Sequence, residues 1–382
     1  MHARTDNIEL VKAQQLEIDI YSFPEFIYEQ SRNKKCVVIG GSHGKTTITA
    51  MILHVLKMQE KDFDYMAGAA IPGFENMVRL TEKSPVIILE GDEYLSSPID
   101  RRPKFHLYKA DIGLISGIAW DHINVFPAFE NYVEQFRIFA QQIPEKGTLV
   151  YCSDDAEVKK IAEDSSVRCA KLAYSIPKYK IEDGITYLSN VEKIPLKIFG
   201  EHNLQNIEGA RKICKLLGVS DYDFNHSIKS FSGAAKRLQL VEQNESTALY
   251  KDFAHSPSKL IATIDAVKKQ FPERKLIACL ELHTFSSLNK NFLSQYKDTM
   301  ASADFPVVYY NPHTVEQKKL EPLEEKFISE SLGDNRIKVF TNSNELKNYL
   351  TKQEWEGSNL LMMSSGNFDG LSLEKLTEEI LK

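Results

Sequence analysis

Short apolar runs recur along the chain, each followed by a stretch with apolar residues three and four positions apart. This alternation of strand and helix periods predicts an α/β protein built on parallel sheets. One series comprises Val37-Val38-Ile39, Val86–Leu89, Ile112–Ile118 and Thr148–Tyr151. After Gly233 a second series begins, with strands expected near Ala248–Lys251, Leu276–Cys279, Val307–Tyr310, Ile337–Phe340 and Leu360–Met363, each followed by a helical pattern. Between the two series, residues 167–200 carry strand-like runs broken by turn signals such as Glu182-Asp183-Gly184, the pattern of a small antiparallel extension. A helical pattern then runs from His202 to Leu217 and stops at Gly218.

The front of the chain differs. A helical pattern follows Asn7, Ile18–Ser22 reads as a strand, and Phe23-Pro24-Glu25-Phe26 starts a helix, which is half of a βαβ layer. The expected organisation is therefore an α/β chain in three parts. Residues 1–34 are too short to close a core of their own, 35–233 form a central domain with a parallel sheet that carries a glycine-rich loop, and 234–382 a C-terminal Rossmann-like domain.

The central part is organised around Ile39-Gly40-Gly41-Ser42-His43-Gly44-Lys45-Thr46-Thr47, where an apolar strand breaks into glycines and opens a helix with Ile48, Met51, Ile52, Val55 and Leu56 at its apolar positions. Glycines let the backbone curl until several N–H groups face one anion-sized hollow at the positive end of the helix. Lys45 adds a full charge there, and the Thr46 hydroxyl can sit on Mg²⁺. The loop is one residue shorter than the common G-x-x-x-x-G-K-[ST] spacing.

Composition narrows the setting. Of 382 residues, 42% are apolar and 26% charged, as in ordinary globular proteins, and the formal net charge of −6 argues against a general nucleic-acid binder. The five cysteines are scattered and odd in number, suggesting neither a disulfide framework nor a zinc site. No run approaches the roughly 18 apolar residues of a membrane span, so a cytoplasmic protein without a membrane partner is expected.

Three further clusters carry chemistry. Val86–Leu89 ends in Glu90-Gly91-Asp92-Glu93, and the next strand leads to Asp121-His122, so acids and an imidazole arrive at strand ends, where open α/β sheets bind ligands. Asp100-Arg101-Arg102-Pro103-Lys104-Phe105 is a basic patch in an acidic protein, either a solvated loop or a clamp on an anionic substrate. Gly200-Glu201-His202-Asn203 with Asn206 opens a helix, where an Asn side chain can cap the helix or meet an adenine edge.

Together with Lys236-Arg237 and Lys251-Asp252-Phe253-Ala254-His255-Ser256-Pro257, these segments occur in the order and spacing of the Mur ligase family, which the chain resembles over nearly its whole length. The resemblance implies an ATP- and Mg²⁺-dependent ligase in which a UDP-N-acetylmuramate carboxylate attacks the γ-phosphate, giving an acyl phosphate that an amine displaces. Carried over by position, Gly41, Ser42, His43, Gly44, Lys45, Thr46 and Thr47 would hold the triphosphate, with Lys45 on its β/γ-phosphates. Thr46 and Glu93 would hold one Mg²⁺ and His122 a second; Asn203 would meet the adenine, Arg237 the phosphates and Asp252 the ribose. Lys45, Glu93, His122 and Arg237 would be catalytic, and Ser364-Ser365-Gly366-Asn367-Phe368 would help seat the amine.

Tyr94 and the stretch to Phe105 look most like the branch that attaches the recycled tripeptide L-alanyl-γ-D-glutamyl-meso-diaminopimelate, with the L-alanine-adding branch as near neighbour. Two departures stand out. Asn124 to Gln142 contains no lysine, with Arg137 near the place where several family members carry one as a carbamate, so no carbamate site is expected. The family's N-terminal UDP-binding domain is expected here only as its last third, which leaves open a truncated, catalytically silent ATP-binding homologue.

Overall fold

The computed structural model describes residues 5–120, 125–189 and 193–381. They divide into two compact units, the first comprising Met1–Tyr179, Leu188–Lys197 and His202–Ser232, the second Lys180–Tyr187, Ile198–Glu201 and Gly233–Lys382.

In the first unit the strands are β1 (Lys35–Gly40), β2 (Asp64–Met66), β3 (Val78–Arg79), β4 (Val86–Glu90), β5 (Ile112–Ile115), β6 (Thr148–Cys152) and β7 (Ala170–Tyr174). They form one sheet in the order β3-β2-β4-β1-β5-β6-β7, parallel throughout except for the β2–β3 pair. Its helices are α1 (Ile8–Gln15), α2 (Phe23–Glu29), α3 (Lys45–Met58), α4 (Lys104–Leu107), α5 (Phe129–Gln142), α6 (Ala156–Glu163), α7 (Glu201–Leu216) and α8 (Asp221–Ile228). β1 is buried on both faces from Cys36 on, which is why it reads as an unbroken apolar run rather than an alternation. Cys36 and Val38 join the face covered by α2, α4, α5 and α6, through Ile27, Phe105, Phe136 and Ile161. Val37 and Ile39 point to the other face by the strand's period of two.

Two expectations fail here. Ile18–Ser22 forms no strand: Ile18 and Tyr21 are each 56% exposed, and α1 buries none of its residues. Apolar alternation is not enough, because a strand also needs a neighbour to take its N–H and C=O groups, and among the described residues this segment has none. Part of the 167–200 region is likewise not an extension: β7 pairs in parallel with β6 and completes the main sheet. Only β8 (Tyr179–Glu182), β9 (Ile185–Leu188) and β10 (Ile194–Leu196) form a separate three-stranded sheet, in the order β10-β9-β8.

The second unit contains β11 (Gln239–Gln243), β12 (Ala248–Asp252), β13 (Lys275–Leu282), β14 (Phe305–Tyr310), β15 (Lys338–Phe340) and β16 (Ser358–Met363), with α9 (Pro257–Gln270), α10 (Lys290–Leu293), α11 (Pro312–Gln317), α12 (Glu325–Leu332), α13 (Ser343–Thr351) and α14 (Leu373–Ile380). The sheet order is β11-β12-β16-β13-β14-β15, again parallel apart from the edge strand β11. Leu276, Ala278 and Leu280 of β13 face the layer of α9, α11 and α12, while Ile277 and Cys279 face α13 and α14. The chain therefore leaves β13 toward one face and β16 toward the other, and the carboxyl ends of these neighbours bound the crevice where such sheets take ligands.

Among the described residues no helix is long and apolar enough to cross a membrane. The five cysteines are free and buried.

Candidate active site

In the first unit β1 delivers the glycine loop and β5, its neighbour, delivers Ser116 and Gly117. Ser42 N–H donates to the Gly117 carbonyl at 2.9 Å, and Ser116 N–H to the Gly40 carbonyl at 3.1 Å, closing the loop against the end of β5. Gly41 has φ +129°, and a Cβ there would lie 2.1 Å from Ser116 Oγ. Gly44 has φ +76°, and a Cβ there would lie 2.3 Å from Asn206 Oδ1. Both positions admit only glycine, one to let β5 approach and one to let α7 approach.

That second contact brings the start of α7 to the phosphate loop. Asn206 abuts Gly44, and Asn203, buried one turn earlier on α7, belongs to the same end of the helix. No side chain caps the N-terminus of α3, which leaves its first-turn N–H groups to the loop's concavity. His43 is half-buried, its carbonyl accepting from Ser116 Oγ, and Thr47 is buried in the first turn of α3.

Two carboxylates meet two loop side chains. Lys45 Nζ donates to Glu93 Oε2 and to the Gly41 carbonyl, both at 2.6 Å. The Thr46 hydroxyl donates to Glu90 Oε1 at 2.7 Å, and Gly68 N–H donates to Glu90 Oε2 at 2.7 Å. Burial alone would push the Lys45 ammonium down, but Glu93, Asp92 and Glu90 around it outweigh burial and hold its pKa above the ordinary lysine value. Asp92 is the mirror case: burial raises it, while Lys45 and Lys104 together bring it below the usual carboxylate range.

The resemblance assigns Thr46 and Glu93 to one Mg²⁺; here the Thr46 hydroxyl is bonded to Glu90, and Glu93 to Lys45. The register explains the difference. β4 runs parallel to β1 with Ile39 opposite Glu90, so the last strand residue lies beside the root of the loop, while Glu93 lies three residues on and reaches Lys45. The last position of the strand adjoining β1 was the signal in the sequence that could have found Glu90. His122 and Asp121 lie outside the described residues, and among those described no group of three His, Cys, Asp or Glu side chains stands in metal-binding geometry.

Two cations of the basic patch are paired: Arg102 forms a fork with Asp100, with Nη2 to Oδ2 at 2.6 Å, and Lys104 pairs with Asp92 just past the end of β4, while Arg101 is exposed. Arg137 pairs with Glu134 at 2.9 Å on the exposed side of α5.

Arg237 and Asp252 belong to the second unit. The Arg237 guanidinium lies 4.7 Å over the Phe253 ring, on a loop whose flanking Lys236 and Leu238 both take left-handed φ, at +56° and +42°. Left-handed φ is uncommon in non-glycine residues. The Asp252 carboxylate accepts from the N–H groups of Leu238 and Ala254, and burial raises its pKa despite the nearby Arg237. At the crevice between β13 and β16, buried Glu281 accepts from the Ser364 hydroxyl and, at 2.8 Å, from Phe368 N–H. Its other oxygen lies 3.6 Å from His283 Nδ1. Gly366 is confined between the two, since a Cβ on it would lie 2.9 Å from both side chains.

Comparison with known proteins bears on the family and the fold. Residues 39–213 match the Mur ligase middle domain. A UDP-N-acetylmuramate–L-alanine ligase of Caldicellulosiruptor saccharolyticus is 30% identical over 344 residues, covering 86% of this chain and 72% of that protein. Among solved structures, the UDP-N-acetylmuramate–alanine ligase of Thermotoga maritima aligns with a TM-score of 0.70 at 16% identity, over 100% of this chain and 83% of its own. A murein peptide ligase of Psychrobacter arcticus aligns with a TM-score of 0.63 at 18% identity, over 99% and 84%.

Proposed function

Because this chain belongs to the Mur ligase family of ATP-dependent ligases, we propose that it joins the carboxylate of UDP-N-acetylmuramate to an amine in the cytoplasm, and that the amine is L-alanine. The observation that carries the nucleotide step is the pairing of Lys45 with Glu93 and of Thr46 with Glu90 at the mouth of one glycine loop. Two anions, the triphosphate and the muramate carboxylate, have to approach each other, and that requires cations fixed between them.

In this reading the glycine loop and the start of α3 cradle the phosphates, and the Lys45 ammonium, kept charged by its acidic neighbours, bears on the β- and γ-phosphates. Thr46 and Glu90 offer a hydroxyl and a buried carboxylate, the oxygen donors that suit Mg²⁺. The ion would supply charge neutralisation at the phosphates. Asn203 at the head of α7 is assigned to the base, and Arg237 and Asp252 to phosphate and ribose, by position in the family. The γ-phosphate passes to the muramate carboxylate, ADP leaves, and the amine displaces phosphate from the acyl phosphate, releasing it as the amide bond forms.

The amine is inferred from two observations. The curated relative quoted above acts with L-alanine, and the cationic lining that a tripeptide's extra carboxylates would need is weakened by the internal pairing of Arg102 and Lys104. The tripeptide is the alternative amine. The test is phosphate release with ATP, Mg²⁺ and UDP-N-acetylmuramate, giving L-alanine and L-alanyl-γ-D-glutamyl-meso-diaminopimelate in separate reactions. L-Alanine should give the higher kcat/KM. A higher value for the tripeptide would reassign the amine, and no release with either would mark the chain as a silent ATP-binding homologue.

A further inference from the structure

A buried tyrosine ties the loop to its acid. Tyr132, on α5, is fully buried, and its ring packs edge-on against Phe136 with centroids 5.2 Å apart. By its apolar neighbours it is a core residue, yet its hydroxyl is spent on the site. It donates to Glu93 Oε1 at 2.9 Å and lies 2.8 Å from Ser42 Oγ. Ser42 Oγ in turn accepts from Ala119 N–H at 2.9 Å.

The direction of this chain is forced. A carboxylate can only accept, so the single Tyr132 proton goes to Glu93, and the Ser42 proton must therefore go to Tyr132. Three hydrogen bonds, from Ala119 N–H through Ser42 and Tyr132, all point at one oxygen of Glu93. The other oxygen of Glu93 holds Lys45 Nζ at 2.6 Å. Lys45, Ser42 and the segment after β5 are thus linked through a side chain that carries no charge.

We propose that Tyr132 is a positioning residue for the nucleotide step, holding Glu93 so that the Lys45 ammonium is presented to the terminal phosphates. This rests on the ATP-site reading above. Each hydrogen bond to a carboxylate limits its rotation, and the bond from Tyr132 fixes the oxygen of Glu93 opposite the one that holds Lys45. Polar groups linked in one buried network also act as a unit rather than as separate pairs.

The experiment is calorimetric titration of the full chain with a non-hydrolysable ATP analogue and with ADP, each in the presence of Mg²⁺, for wild type and Tyr132→Phe. The variant keeps the buried ring and removes one oxygen. Its affinity for the triphosphate analogue should fall by roughly three- to tenfold, the size of one hydrogen bond, with a smaller loss for ADP. A role confined to packing would weaken both nucleotides alike. Should Tyr132→Phe not fold, Ser42→Ala breaks the same chain one bond earlier; because Ser42 also lies in the phosphate loop, the readout there is its coupling to Glu93→Gln, whose combined loss should be less than additive. In the double variant Tyr132→Phe with Glu93→Gln, the losses should be less than additive. Equal losses for the two nucleotides, unchanged affinity, or additive losses would overturn the role of Tyr132 alone. Absence of nucleotide binding by the wild type would overturn the ATP site and this role with it.

Discussion

Glu90 and Glu93 in the first unit, and Asp252 and Glu281 in the second, stand at the carboxyl ends of parallel strands in two sheets of similar build, and they are satisfied by different donors. In the first unit the partners include the Thr46 hydroxyl, the Lys45 ammonium and the Tyr132 hydroxyl, with Gly68 N–H as a backbone donor on Glu90. In the second unit they are chiefly backbone: Leu238 and Ala254 N–H on Asp252, and Phe368 N–H beside the Ser364 hydroxyl on Glu281. A side-chain donor can turn toward an arriving phosphate by changing a rotamer, whereas a backbone N–H leaves its carboxylate only if the loop rearranges. Similar placement therefore makes acids of exchange in one unit and acids that pin loops in the other.

The sharpest test removes the cation of the first unit. Lys45→Met should lower affinity for the ATP analogue by about 1.5–3 kcal/mol, the worth of a hydrogen bond to a charged group, which is roughly one to two orders of magnitude in Kd. Isothermal titration reads it directly, and wild-type affinity in the variant would erase the distinction between the units.

The corresponding change in the second unit should act on stability. Glu281→Ala strips Phe368 N–H and the Ser364 hydroxyl of their acceptor next to a turn that already holds Phe368 and Asp369 at φ +51° and +57°. Leaving such donors unpaired costs about 1–3 kcal/mol. The urea midpoint should fall accordingly, while analogue affinity changes less than in Lys45→Met. An unaltered midpoint would mean that the turn holds itself.

The smallest expected effect concerns acid. In the first unit burial lowers the pKa of His54 and of His106, against the carbonyls of Ser227 and Gln135 that each imidazole meets at 3.1 and 2.8 Å. Because both folded values lie below the unfolded value of about 6.5, the unfolded chain takes up protons first as pH falls. Stability is then undiminished above that pH and declines as pH drops through it toward the folded values. Thermal melts between pH 7 and 5 should show this decline, and His54→Gln should flatten it. An identical pH slope in the variant would exclude His54 as a contributor.

Much of this was legible in the residues. Each expected strand of both parallel sheets formed within a few positions, because buried strands are apolar over their whole length and the glycine loop advertises its own turn. Short pieces were missed: β2, β3 and β11 are edge or near-edge strands with little apolar signal. Ile18–Ser22 erred the other way, its alternation real but without a neighbour to pair with. At the site, the motif named Lys45, Thr46 and Asn203, which lie in one unit, and it concealed Tyr132, whose helical spacing among Phe129, Val133 and Phe136 is that of any core aromatic.

The sequence by itself determined which groups carry charge and where the backbone can curl, since glycine spacing, strand ends and helix starts are local properties of a few consecutive residues. Only the tertiary structure decided who meets whom. Glu90 rather than Glu93 faces Thr46 because β4 lies beside β1 in a given register, and Tyr132 reaches Glu93 from 39 residues away because α5, which follows β5, packs on the same face of the sheet as α4, which follows β4. Partnerships at that separation depend on strand order and on the direction of each crossover, and these are settled by packing the whole sheet rather than by any segment within it.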